Sequence, residues 1–247
     1  TQKVHISSAI ASGYKYMLIV TSDEAKARKM CDDASFFNKE AIYYPAKDAI
    51  FYSADVHGNQ ITGERLRCIS RIINHSSTGE GVLTVVTTMD GIADRLIPVE
   101  RFKEAVITLD YSSEIEPEKL AKKLVAMGFV RTGMVEDKGQ FAIRGGIIDI
   151  FSYTDEAPVR IELWDTEVDS IRMFDVESQR SIERLQSYSI FPATEYIFTE
   201  DELKNGLYNI KEECDRQLEC FDYGKRKRTK EQIEAGNNLN KLVADVE

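Results

Sequence analysis

Histidine, tryptophan and cysteine are scarce in this chain: three, one and four among 247 residues. His5, His57 and His75 lie far apart, with no H-E-x-x-H spacing, and no G-x-S-x-G elbow supplies a nucleophile for them to activate. Metal-assisted and triad hydrolysis therefore have no residues to work with. Cys31, Cys68, Cys214 and Cys220 are scattered, without a C-x-x-C pair, which is the usage of a cytoplasmic chain with reduced thiols. No apolar run approaches the roughly 20 residues that span a bilayer, and no secretory signal opens the sequence, so no membrane partner is expected. Also missing is G-x-x-x-x-G-K-[ST], the loop whose backbone N–H groups cradle a triphosphate. Asp23-Glu24 after a hydrophobic strand has the look of a motor's acidic box, but Thr21 and Ser22 intervene and move both carboxylates into the first turn of a helix. No nucleotide, metal or other cofactor is expected here. A formal net charge of −10 excludes a surface that grips nucleic acid throughout.

What is present is a 43% hydrophobic, 30% charged composition, enough to bury a core in two modest domains. The first hundred residues alternate strand and helix. Tyr16 to Val20 reads as a strand, then a hydroxyl cap at Thr21-Ser22 starts a helix through about Asp33. Ala41 to Pro45 is a second strand. A polar loop carrying Asp55, His57, Gly58 and Asn59 precedes a helix over residues 61–73 with Leu66, Ile69, Ile72 and Ile73 on one side. Val82 to Val86, a short helix at residues 90–96 and a strand at residues 105–109 follow. Short apolar strands separated by helices predict a parallel sheet covered on both faces. From Ser113 the grammar changes. Pro117 suits a helix first turn and Gly128 a left-handed C-cap, and then come four or five strands joined by turns such as Asp137-Lys138-Gly139 and Asp165-Thr166-Glu167. Arg144-Gly145-Gly146 reads as a tight turn or bulge rather than an anion nest. Thr199-Glu200-Asp201-Glu202 fits a capping box. The expected fold is an α/β parallel-sheet module, residues 1–105 and 189–247, with an inserted α+β antiparallel domain, residues 106–188. A start at Thr1 inside a helical pattern and an end at Glu247 inside another (Leu239 to Ala244) read as a piece of something larger.

One strand has an unusual display. Period-2 alternation in Val159-Arg160-Ile161-Glu162-Leu163-Trp164 puts Val159, Ile161 and Leu163 on one face and Arg160, Glu162 and Trp164 on the other. The chain's only tryptophan beside an arginine and a carboxylate has the composition of a protein-binding hot spot. Neighbouring strands place Arg144 and Arg172 on the same face, and buried unpaired arginines are rare. The bland reading is a core face closed by a second layer over Trp164. Elsewhere, Lys225-Arg226-Lys227-Arg228 with Lys230 is a basic run, either a solvated stretch or a nucleic-acid contact. Tyr43, Tyr44, Phe51 and Tyr52 are core and rim packing or a base-stacking platform, though without interleaved arginines.

The residues Gln140 to Phe151, Val159 to Asp165, Glu167 to Arg172, Phe174-Asp175 and Phe191-Pro192-Ala193 resemble the homology region shared by the nucleotide-excision-repair protein UvrB and the bacterial transcription-repair coupling factor. Phe174-Asp175-Val176-Glu177-Ser178-Gln179-Arg180 is similar to the coupling-factor version, and the segment after Tyr43-Tyr44 is too short and too poor in aromatics to hold the DNA-clamping hairpin of UvrB. The resemblance implies a degenerate P-loop, helicase-like module with an inserted domain that recruits the damage-recognition ATPase UvrA. It implies that RNA polymerase binding, double-stranded DNA translocation, ATP and magnesium belong to other parts of the full-length protein. The family's UvrA-contacting positions map onto Arg144, Arg160 and Trp164, where relatives commonly have Phe in place of Trp164; Glu162 and Arg172 are added from the shared face. A DNA-binding, ATP-hydrolysing core of UvrB type, and a stand-alone α/β enzyme, are the alternatives.

Overall fold

The apolar runs near the start of the chain pair side by side as a parallel sheet. The computed structural model describes residues 2–38, 40–47, 55–78 and 81–222. In order, the first elements are α1 (Gln2–Ala11), β1 (Tyr16–Thr21), α2 (Glu24–Phe37), β2 (Ala41–Tyr44), α3 (Asp55–Thr78), β3 (Leu83–Thr88), α4 (Met89–Ala93) and α5 (Val99–Ala105). Then come β4 (Ile107–Asp110), α6 (Pro117–Ala126), β5 (Val130–Arg131), β6 (Gln140–Arg144), β7 (Ile147–Phe151), β8 (Val159–Trp164), β9 (Glu167–Phe174), β10 (Ser181–Arg184), β11 (Ser187–Ile190) and α7 (Glu200–Asp222). The chain divides into two compact units, residues 1–197 and 198–247.

In the first unit, β1, β3 and β2 form the parallel sheet, with β3 central and Leu18↔Val85 and Ile42↔Val85 in register. The α2 helix lies against the sheet with Ala27 and Ala34 buried. Its N-cap is the Asp23 carboxylate, which accepts from Lys26 N at 2.9 Å, rather than the expected hydroxyl of Thr21 or Ser22. The hydrogen bonds from Lys26 lower the pKa of the Asp23 carboxyl to about 2. On the other side Cys68, Ile69 and Ile72 of α3 pack on Ile42, Tyr44, Leu83 and Val85. Burial pushes the Cys68 thiol up to about 12. Coverage on both faces holds for β3 and β2, which pack against both α2 and α3, and fails for β1. Because α3 centres on β2 and β3, Tyr16, Leu18 and Val20 of the edge strand β1 stay exposed. Boundaries also differ from expectation, among them those of α2, which runs to Phe37, and α4, which ends at Ala93. The α3 helix begins at Asp55, since Gly58 and Asn59 fall in its first turns and cost too little to stop it. The seven-residue α5, with Phe102 its one buried anchor, is too short to show a period, and it takes Ala105 from the predicted strand.

The larger sheet has the order β10-β9-β8-β7-β6-β5, antiparallel except for the β5–β6 pair. Among the described residues seven strands follow Gly128 rather than four or five, because two-residue β5 and fully exposed β10 carry no apolar signal. On one face Phe141, Ile148, Ile150, Val159, Ile161 and Ile171 meet Leu120, Ala121 and Leu124 of α6. Helix α6 closes as predicted: Gly128 sits at φ +87°, its N–H donates to Val125 O, and Phe129 N–H donates to Leu124 O, a Schellman motif. Entry and exit strands β4 and β11 pair antiparallel, Ile107 opposite Ile190. In the second unit, the capping box at the start of α7 is present, with Thr199 N to Glu202 Oε2 at 3.0 Å and Glu202 N to Thr199 Oγ1 at 3.2 Å.

A buried ion cluster ties α3 to the segment after β11. Arg65, fully buried, donates from Nε and Nη2 to Glu195 at 2.6 and 2.9 Å and from Nη1 to Pro45 O at 2.7 Å. Asp94 lies 3.2 Å from Nη1, and the Tyr44 ring lies 4.4 Å from the guanidinium carbon. The aromatic pair at the end of β2 thus does have arginines on it, Arg28 on Tyr43 and Arg65 on Tyr44, supplied by helices rather than by adjacent sequence. Phe51 and Tyr52 lie outside the described residues.

Candidate protein-interaction surface

The outer face of the six-stranded sheet is built around a carboxylate. Along β7, Ile148 and Ile150 enter the core while Asp149 points the opposite way, between Ala142 of β6 and Arg160 of β8. Asp149 is only 1% exposed. Arg160 grips it with two parallel bonds, Nε to Oδ1 at 2.7 Å and Nη2 to Oδ2 at 2.9 Å, the fork geometry that guanidinium and carboxylate share. Arg144 reaches it diagonally across the β6–β7 pair, Nη2 to Oδ2 at 2.6 Å. The Arg160 Nη2 also donates to Gln179 Oε1 at 2.8 Å, and the guanidinium carbon lies 4.3 Å from the Phe174 ring centre. Those hydrogen bonds to Asp149 raise the Arg160 pKa against the opposing effect of burial.

Gln179 is held in place by its own turn. It sits at φ +57° in the β9–β10 connection, with its N–H on Asp175 O at 2.8 Å and its side-chain amide on Val176 O at 2.8 Å. Ser178 donates to Asp175 Oδ1 from both hydroxyl and backbone, which lowers the Asp175 carboxyl below its ordinary range.

One residue pair further along β8, Glu162 faces Ser170, accepts its hydroxyl at 2.9 Å and pairs with Arg172. Arg172 Nε is buried without a hydrogen-bond partner. The strand ends at Trp164, which is 79% exposed beside a turn whose Asp165 sits at φ +57°. Gly146 lets this end close: a Cβ there would stand 2.9 Å from Leu163 O, the region where Leu163 N–H donates to Gly146 O. A second layer does exist, formed by Val135, Ala142, Phe151 and Val176, but it leaves Trp164 uncovered.

The structure therefore brings Arg144, Arg160, Glu162 and Arg172 onto one face with Trp164 at its end. Lys225, Arg226, Lys227 and Arg228 lie outside the described residues. Sequence reading missed Asp149 and Gln179. Asp149 had a signal, being the one charge inside Ile147-Ile148-Asp149-Ile150-Phe151, whereas Gln179 had none, since its role depends on a turn conformation.

Residues 107–196 match the family described as the UvrB interaction domain. The stretch belongs to that family. Over 240 residues, 93% of its length, the chain is 36% identical to the transcription-repair-coupling factor of Bacillus subtilis (strain 168), covering 20% of that protein. It is 34% identical over 222 residues to that of Staphylococcus aureus (strain Mu50 / ATCC 700699) and over 223 residues to that of Staphylococcus haemolyticus (strain JCSC1435). The chain thus spans about a fifth of the length of these curated relatives. The resemblance read from residues 140–193 is borne out. The UvrB interaction domain contains both the main core, from Leu109 to Ala193, and all five residues of the arginine–tryptophan face.

Proposed function

We propose that this chain is a non-catalytic module that recruits UvrA to stalled RNA polymerase in transcription-coupled nucleotide excision repair. Arg144, Arg160 and Trp164 form its docking surface, with Glu162 and Arg172 at the border. The observation that carries this reading is Trp164, 79% exposed at the end of a face whose arginines are already fixed. An indole offers apolar area at low conformational cost, and ordered guanidiniums offer forked pairing to carboxylates, the composition of interface hot spots. Residues 1–105 and 189–247 make up a degenerate P-loop, helicase-like α/β module carrying residues 106–188 as the UvrA-binding insertion. In the longer, cytoplasmic protein, ATP and magnesium serve a motor on double-stranded DNA outside these residues, and Lys225, Arg226, Lys227 and Arg228 form an auxiliary nucleic-acid contact.

The test is calorimetric titration of this chain with purified UvrA. The parent should bind saturably, and Trp164→Ala should weaken binding by about 2 kcal/mol, roughly thirtyfold. Binding by a folded Arg160→Ala, Trp164→Ala double variant at the parent affinity would overturn the assignment.

A further inference from the structure

We infer that Asp149 is the positioning residue of this docking surface, a buried carboxylate that orders Arg144 and Arg160 for their partner without touching the partner itself. The inference rests on the UvrA reading above. With 1% of its surface exposed, Asp149 has nothing to offer a docked protein directly. Its two oxygens instead accept three hydrogen bonds from two arginines on the two strands that flank it. Arginine side chains that are free must be immobilised on binding, and a docked complex is weaker by that cost; side chains already locked by supporting bonds avoid it. Arg160 is the more tightly held, 16% exposed and also bonded to Gln179, while Arg144, 43% exposed, has one nitrogen on Asp149 and presents the rest of its head outward.

Charge and order make opposite demands here, and that gives the inference a sign. The two arginines carry two positive charges, and Asp149 cancels one of them at their centre. If UvrA responded to positive charge alone, Asp149 would be a liability, and neutralising it would strengthen binding. If UvrA responds to placed guanidiniums, neutralising it weakens binding even though the face becomes more positive. Asn at this position keeps the shape but turns one acceptor oxygen into a donor facing Arg144 and Arg160.

The deciding measurement is UvrA affinity of Asp149→Asn at physiological salt, alone and in an Arg144→Gln, Arg160→Gln background. At least a tenfold loss is expected alone, shrinking to less than twofold without the arginines. Equal or tighter binding by Asp149→Asn, or the same loss in both backgrounds, would sink the inference. Should Asp149→Asn fail to fold, Gln179→Ala removes a single acceptor from Arg160 in a surface turn and should cost a few-fold in affinity; no loss counts against the inference. The free chain provides a readout that does not involve UvrA. The Arg160 Nε–H resonance should be sharp and slow to exchange in the parent and lost to exchange in Asp149→Asn. A parent that shows this resonance yet ignores UvrA refutes the docking reading alone, whereas an Arg160 resonance broadened in the parent refutes the positioning role itself.

Discussion

Arg65 with Glu195 and Arg160 with Asp149 are the same chemical object in two settings. Each is a two-bonded guanidinium–carboxylate pair with an aromatic ring against the arginine, Tyr44 in one and Phe174 in the other. The first is closed: Arg65 and Glu195 are both buried, and the third guanidinium nitrogen is bonded to Pro45 O. The second lies at a surface, where a second arginine shares the carboxylate and an exposed tryptophan ends the same strand. A closed pair can only hold elements together, and this one joins α3 to the segment after β11. An open pair holds side chains still while leaving them available. Pair geometry alone does not separate the two roles; what surrounds the arginine does.

The largest effect that would break the comparison is in the closed cluster. Arg65→Ala leaves Glu195 buried with Lys47, at 3.2 Å, as its remaining cation, and stranding half of a buried pair costs about 3–5 kcal/mol. A chemical denaturation series should show that loss. If Arg65→Ala unfolds at the parent midpoint, the cluster is not holding the fold.

Next in size is the contrast along β8. Ile161→Ala removes a fully buried side chain from the main core and should destabilise the chain by about 2–5 kcal/mol. Trp164→Ala, three residues on and largely exposed, should stay within about 0.5 kcal/mol of the parent. Thermal unfolding of the two variants measures this directly. An equal loss in both would show that Trp164 packs as core.

These contrasts follow closely what was legible beforehand. Alternation placed Ile161 inward and Trp164 outward, since a strand's period of 2 survives almost any context. Turn chemistry placed Gly128 and the Thr199 capping box, because each depends on a few consecutive residues. What could not be read were side-chain meetings that depend on how separate elements are brought together. Asp149 meets Arg144 and Arg160 through sheet register, and Arg65 meets Glu195 across 130 positions of sequence. Nothing in the sequence singled out Arg65, because a charge inside an apolar helix face cannot be distinguished there from a charge at the face's edge. The bare side of β1 was likewise hidden, because coverage depends on where α3 lies over the sheet.

The smallest predicted effect comes from a third carboxylate, half-buried and with no arginine. Asp155 accepts the Tyr188 hydroxyl at 2.6 Å and the Thr154 hydroxyl at 3.0 Å, and burial raises its carboxyl above the ordinary range despite those bonds. Because its folded pKa lies above the unfolded one, the folded chain holds a proton the unfolded chain has released. Its contribution to stability therefore falls as pH climbs from the unfolded value through the raised folded one. Asp155→Asn keeps an acceptor for Tyr188 and carries no charge to bury. The variant should match the parent at pH values below the ordinary carboxylate range and exceed it at neutral pH, by less than Ile161→Ala loses. Denaturant midpoints of both chains across that range measure the difference. A gap that is constant or narrows with rising pH would mean that Asp155 is held charged by its neighbours, and the reading of it as a carboxylate raised by burial would not stand.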